Sequence, residues 1–368
     1  MFQKQAKPTQ TPDQPIQISV EDTAPCQKSV RIVVLPVAIA PVRAEVLREF
    51  QKEARLDGFR KGHAPVDLIQ RRFGPSIQEE TLKRLTQQAF EHATQAQSLR
   101  PVGPFEVSRA DYEEVRGLTL EAKVEIEPVF ELAEYKGISL KRPAIAVSPE
   151  ELAKAMTQLQ ESMTQLVPGK DDQKERQVPA IDDDLAKDLG HETLDKLKVH
   201  VEAKLREQKE TLLKQQLEAA ACDTLVARHA FDVPAGLVSR QTERLTRDFK
   251  VRLLMSGAKE EQADQELAKF TEQLKTSALR HVKLSFILDR IAEKENANVG
   301  QDELLERMWQ LSQRWQKDPA QVKAILDKEG LWPSVVSSIR QDKTLAIVMA
   351  AAAIEDTTAP LAAQAKAV

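Results

Sequence analysis

Asp57-Gly58-Phe59-Arg60-Lys61-Gly62-His63-Ala64-Pro65 is the most informative stretch of the chain. Two glycines bracket an aromatic ring and two cations. Gly58 and Gly62 permit tight or left-handed backbone, so a loop built on them can protrude. Pro65 suits the first position of a helix, because its missing N–H has no intrahelical partner there. An exposed Phe beside two cations has the composition of a docking tip, one apolar plug with charge on either side. Residues 43–72 hold eight Lys/Arg against five Asp/Glu, in a chain whose net charge is −4. A helix–helix connection with solvated cations has the same composition, so the bare pattern leaves both readings open.

Outward from that loop the pattern is mixed. Before it, residues 16–21 and 28–38 are strand-like, and Val30-Arg31-Ile32-Val33-Val34 is rich in β-branched residues. Residues 41–56 turn to helical spacing, with Val46, Leu47, Phe50 and Ala54 on one face. After the loop, 75–98 is helical. Strand character returns at 105–109 and at 118–126, where Leu118, Leu120, Ala122, Val124 and Ile126 alternate with mostly polar residues. Residues 16–128 therefore form an α+β unit, with 1–15 as a disordered tail. An extended, proline-punctuated linker follows over 129–148. Ser148-Pro149-Glu150-Glu151 is a capping box that opens a helix over 149–167. Its stripe of Leu152, Met156, Leu159, Met163 and Leu166 reads as helix core. Residues 168–180 are charged and featureless. From 181 to 356 the chain is a mostly α-helical domain with projecting arms, and 357–368 is a second disordered tail.

Composition excludes several classes. The chain has 368 residues, 30% of them charged, and only 12 glycines and 16 aromatics, which fits a mostly helical, multi-domain protein. The longest apolar run, Leu345 to Ile354, is half of the ~20 residues a spanning helix needs, so no membrane partner is expected. Cys26 and Cys222 stand far apart and form no CxxC. With an N-terminus that lacks a signal-peptide core, they fit a reducing cytoplasm. No GxGxxG, Walker loop, HExxH or GxSxG occurs, and the six histidines never pair at i, i+4. No catalytic residue, metal site or cofactor is expected.

Gly58-Phe59-Arg60-Lys61-Gly62-x-x-Pro65 closely resembles the ribosome-docking signature of trigger factor, the bacterial chaperone of the nascent-chain exit. The resemblance continues through Arg71-Arg72-Phe73-Gly74, Pro101-Val102-Gly103-Pro104 and Val124-Glu125-Ile126-Glu127-Pro128. It resumes at 181–190, at Phe231-Asp232-Val233-Pro234 and at Lys317-Asp318-Pro319. It implies an ATP-independent holdase that assists folding and export. The loop would dock on the large subunit near the exit tunnel, against a ribosomal protein and rRNA. Arg60 would pair with a carboxylate or phosphate, Lys61 would add charge, and Phe59 would fill an apolar contact. The helical domain would hold unfolded or nascent polypeptides, with Phe249, Leu253, Leu254, Met255 and Met308 as candidate client contacts. Packing between arm helices is the plainer reading of each. A weak homodimer stays open.

The family usually carries an FKBP-like prolyl isomerase domain, on the order of 100 residues, where this chain has 168–180. Residues 136–230 contain no Phe, Trp or Tyr to wall a proline pocket. The resemblance is therefore to a trigger factor without that domain, and not to an enzyme. Two alternatives are a prolyl isomerase by inheritance and a SurA-like chaperone of another compartment.

Overall fold

The computed structural model describes residues 15–113, 116–163, 165–168, 174–177 and 180–360, with 165–168, 174–177 and 358–360 as backbone only. The tails at 1–14 and 361–368 and most of 168–180 lie outside the described residues. In chain order the elements are β1 (Ile16–Ala24), β2 (Gln27–Val34), α1 (Pro36–Glu53), α2 (Val66–Ala96), β3 (Glu106–Glu113), β4 (Gly117–Glu125), β5 (Ser139–Ala144) and α3 (Pro149–Ser162). They continue with β6 (Gln165–Pro168), β7 (Lys174–Gln177), α4 (Asp183–Asp188), α5 (Leu194–Arg228), α6 (Ala235–Met255) and α7 (Glu260–Lys294). Last come α8 (Gln301–Trp315), α9 (Pro319–Lys328), α10 (Trp332–Ala350) and β8 (Ala353–Pro360). The α+β head and helical remainder expected from the sequence are both present. The chain divides into two compact units: the described residues up to Glu131 with Ala230–Phe286, and Leu132–His229 with the described residues from Ile287.

The first unit is built on an antiparallel sheet of order β1-β2-β4-β3. Val30, Ile32 and Val34 of β2 lie opposite Ala122, Leu120 and Leu118 of β4, so period-two alternation puts all six on one face. That face packs on Ile39 and Val42 of α1 and on Leu85, Ala89 and Ala93 of α2. Gly117 opens β4 at φ +104°, and a Cβ there would stand 2.2 Å from the Val34 carbonyl oxygen. A side chain meets both strain and backbone it cannot displace. Gly117→Ala should therefore destabilise the sheet by about 1–3 kcal/mol or more. Urea unfolding of the full chain, followed by circular dichroism, measures this.

Two helix boundaries differ from the periodicity reading. Helix α1 begins at Pro36 and carries Pro41 inside it. Helix α2 runs unbroken over 31 residues through Pro75, where two helices were expected. An internal proline costs about 3 kcal/mol. Ile69, Ile77, Leu85, Ala89 and Ala93 are buried along the same helix, and each large apolar side chain returns about 1.5–3 kcal/mol on burial, so packing outweighs the proline. Arg84 of α2 bridges Glu49 of α1 (3.0 Å) and Glu80 (2.9 Å). Its hydrogen bond holds the Glu49 carboxyl below the ordinary carboxylate range.

Helices α6 and α7 turn at Gly257, φ +92°, with Phe249 edge-on to Phe270 at 5.4 Å and Lys250 paired to Asp264 at 2.7 Å. The first turn of α6 is held by the sheet. Glu125 of β4 accepts from the Gly236 N–H and lies 3.7 Å from Arg240. A Cβ on Gly236 would stand 2.6 Å from that carboxylate. Acceptance of a first-turn N–H by a carboxylate suits the positive end of the helix dipole.

In the second unit the capping box at Ser148 and Glu151 is formed, and Lys209 pairs with Glu151 at 2.7 Å. Leu152, Met156 and Leu159 pack on Ala186, Leu197 and Val201, so the stripe of α3 is helix core there. The helix ends at Ser162. Beyond it the antiparallel pair β6–β7 occupies residues expected as helix end and featureless loop. Strand β5 pairs in parallel with β8. Thus the linker carries a strand, and 353–360 is a strand where a helix end and tail were expected. Tyr135 is buried and donates to Glu295 at 2.5 Å. Burial, with that carboxylate beside it, pushes the phenol up to about 12. Lys136, paired to Glu295 at 2.7 Å, holds the carboxyl below its usual range. Among the described residues no helix is long and apolar enough to cross a membrane.

Candidate functional site: the α1–α2 loop and the exposed apolar residues of α6 and α8

The loop between α1 and α2 is short and locally determined. Gly58 and Gly62 take φ +86° and +85°, the left-handed region that side chains disfavour. The Phe59 N–H bonds the Leu56 carbonyl (3.1 Å) and the His63 N–H bonds the Arg60 carbonyl (3.0 Å), so two successive turns form the tip. Pro65 is the residue before the first helical one, and its carbonyl accepts from Leu68 and Ile69. It thus sits one position earlier than expected, and it opens the long α2.

The base of the loop is anchored. Gln51 donates to the Ala64 carbonyl at 2.8 Å. Ala64, Val46, Ile69 and Ile77 form a small core with Phe50, Leu56 and Phe73 around it. Anchored ends and a turned tip hold Phe59 outward, 42% exposed. Arg60 and Lys61 are exposed too, and neither makes an ion pair or side-chain hydrogen bond with any described residue. The structure thus brings Gly58, Phe59, Arg60, Lys61, Gly62 and Pro65 together as one projecting tip. This arrangement offers hydrogen-bond donors, positive charge and an apolar ring.

The candidate client residues fall in two places. On α6, Met255 is 84% and Leu254 41% exposed, whereas Leu253 is half-buried and Phe249 is half-buried against Phe270. On α8, Met308 is half-buried. Phe249, Leu253 and Met308 thus spend much of their surface on packing. Sequence reasoning missed the more exposed Val251 on α6 and Leu305, Trp309 and Trp315 on α8. Polar residues on both sides gave no sign that these faces lack a covering element. Among the described residues no group of His, Cys, Asp or Glu is placed to hold a metal ion.

Two family models match the chain: Bacterial trigger factor protein (TF) over residues 16–159, and Bacterial trigger factor protein (TF) C-terminus over residues 193–350. Together they cover most of its length, and the chain belongs to the trigger factor family. Trigger factor of Anaeromyxobacter sp. (strain Fw109-5) is 23% identical over 428 residues, covering 92% of this chain and 100% of that protein. Trigger factor of Geobacillus thermodenitrificans (strain NG80-2) is 24% identical over 391 residues, covering 80% and 91%. Both alignments are longer than the 368-residue chain, so these relatives carry sequence that it lacks. A solved structure described as promiscuous substrate recognition in folding and assembly activities of the trigger factor chaperone aligns with TM-score 0.47 and 17% identity. It covers 91% of this chain and 99% of that one.

Proposed function

We propose that the protein is an ATP-independent holdase of the cytoplasm that docks on the large ribosomal subunit beside the nascent-chain exit. There it shields apolar segments of new polypeptides and assists their folding and export. The observation that carries this reading is the projecting tip: Phe59 exposed between two left-handed glycines, with Arg60 and Lys61 lacking any described partner. A partly exposed ring beside unpaired cations is placed for a partner with an apolar notch and negative charge. Membership of a chaperone family supports the client side. The open faces at Val251, Leu254 and Met255, and at Leu305 and Trp309, supply apolar surface. Hydrophobic burial is non-directional, so many client sequences fit such surfaces. Contacts of this kind are individually weak. Dissociation then stays fast, and release needs no nucleotide.

The chain works without prolyl isomerase chemistry. Only residues 160–192 separate the two matched segments, far short of a domain on the order of 100 residues. In a refolding reaction limited by proline isomerisation, the protein should suppress aggregation with no nucleotide present. The slow phase, tens to hundreds of seconds, should keep its rate. Shortening of that phase by substoichiometric protein would contradict the reading, as would unaltered aggregation.

A further inference from the structure

A small cleft of about 280 Å³ adjoins the docking tip, lined by Leu56, Asp57, Phe59, Leu68, Arg71 and Arg72. Leu68, Arg71 and Arg72 stand at i, i+3 and i+4 on the first turns of α2, and residues so spaced share one helix face. Ile69 and Phe73 point the other way, into the small core beneath the loop. The outer face of α2 is therefore presented next to Phe59, with Leu68 39% exposed. Arg71 and Arg72 are exposed and make no ion pair or side-chain hydrogen bond with any described residue. The loop supplies one wall of the cleft and the helix the other.

We propose that this cleft is a second half of the docking surface, and that it receives an apolar side chain of a ribosomal protein whose neighbouring carboxylate pairs with Arg71 or Arg72. The proposal rests on the ribosome-docking reading and extends it from the loop to α2. Two features select a polypeptide occupant over RNA. Leu56, Phe59 and Leu68 give the cleft an apolar floor, which an aliphatic side chain fills and a phosphate does not. Asp57 is part of the lining and repels a phosphate, whereas a carboxylate two or three residues along a chain can avoid it. The guanidinium groups of Arg71 and Arg72 pair in two-bond geometry with a carboxylate or a phosphate alike, so the choice between them rests on the apolar floor and Asp57. The volume falls just under the range of small-molecule sites, roughly 300–1,000 Å³, and suits a single inserted side chain.

The test is cosedimentation of the full chain with purified ribosomes, comparing wild type, Leu68→Ala and the pair Arg71→Ala with Arg72→Ala. Each variant should bind ribosomes tenfold or more weakly while suppressing aggregation of a free unfolded client as the wild type does. A photoreactive benzoylphenylalanine in place of Asp67, which is exposed one turn before Arg71 on the same side of α2, should form a protease-sensitive crosslink to a ribosomal protein. Failure of the wild type itself to bind ribosomes would overturn the docking reading. Wild-type binding that is lost on mutating the loop but kept by the α2 variants would overturn the cleft alone. A crosslink confined to ribosomal RNA, or none from a derivative that still cosediments, would also overturn it.

Discussion

Replacing Phe59, Arg60 and Lys61 together with Ala should weaken ribosome binding ten- to a hundredfold or more and leave the fold intact. The three side chains stand on a tip whose shape comes from Gly58, Gly62 and two backbone turns, and whose anchors are Ala64, Ile69 and Gln51. None of those is altered, and surface changes of this kind shift stability by only about ±0.5 kcal/mol. Removal of a charge-assisted hydrogen bond costs about 1.5–3 kcal/mol, and ~1.4 kcal/mol is a factor of ten in affinity. The second cation and the apolar plug add to that. Arg60→Lys separates two partners. A planar carboxylate held by two bonds loses most of its affinity, whereas a single phosphate oxygen loses little. Cosedimentation with an aggregation assay in parallel reads both. Unchanged ribosome binding by the folded triple variant would return the loop to an ordinary connection with solvated cations.

Substitution of Val251, Leu254 and Met255 by Ser should reduce suppression of client aggregation about tenfold, with ribosome binding kept. Met255 stands in solvent near the end of α6, and Val251 and Leu254 are 48% and 41% exposed, so the variant gives up less packing than a core substitution would. Full burial of a side chain of this size against a client contributes about 1.5–3 kcal/mol. Half of that, summed over three residues, exceeds the ~1.4 kcal/mol of a tenfold change. Phe249→Ala should behave differently. Its ring meets Phe270 edge-on, a pairing worth about 0.5–1.5 kcal/mol beyond area burial. Loss of activity there should follow loss of the α6–α7 pair, seen as a lower unfolding midpoint. If the Ser variant is folded and fully active, the client surface lies elsewhere.

What could be read from the sequence was local. The alternation of Leu118 to Val124, the capping box at Ser148 and Glu151, and the glycines around Phe59 each report a conformation decided within a few residues, and each is present. What could not be read is decided at long range. Strand β8 exists because residues 353–360 pair with β5, more than two hundred positions earlier. Ala353 had continued the run of alanines that ends the preceding helix, and pairing with the distant β5 decides the extended state. Glu125 gave no local sign that it meets the Gly236 amide. The same distinction divides the candidate sites. The tip at 58–65 is self-contained, so its residues were found together. Exposure on α6 and on α8 depends on what packs against each helix, so Phe249 and Met308 were named although they are half-buried, and Val251 and Trp309 were passed over.

Ribosome docking is the central claim, and a binding isotherm with purified large ribosomal subunits tests it most directly. The full chain should bind saturably to one site per subunit. Affinity should fall steeply from low to moderate salt, because exposed cationic contacts are screened over about 10 Å at 0.1 M. The variant lacking Phe59, Arg60 and Lys61 should show little binding at any salt. Absence of saturable binding by the wild type, or saturable binding that the triple variant retains, would contradict the account.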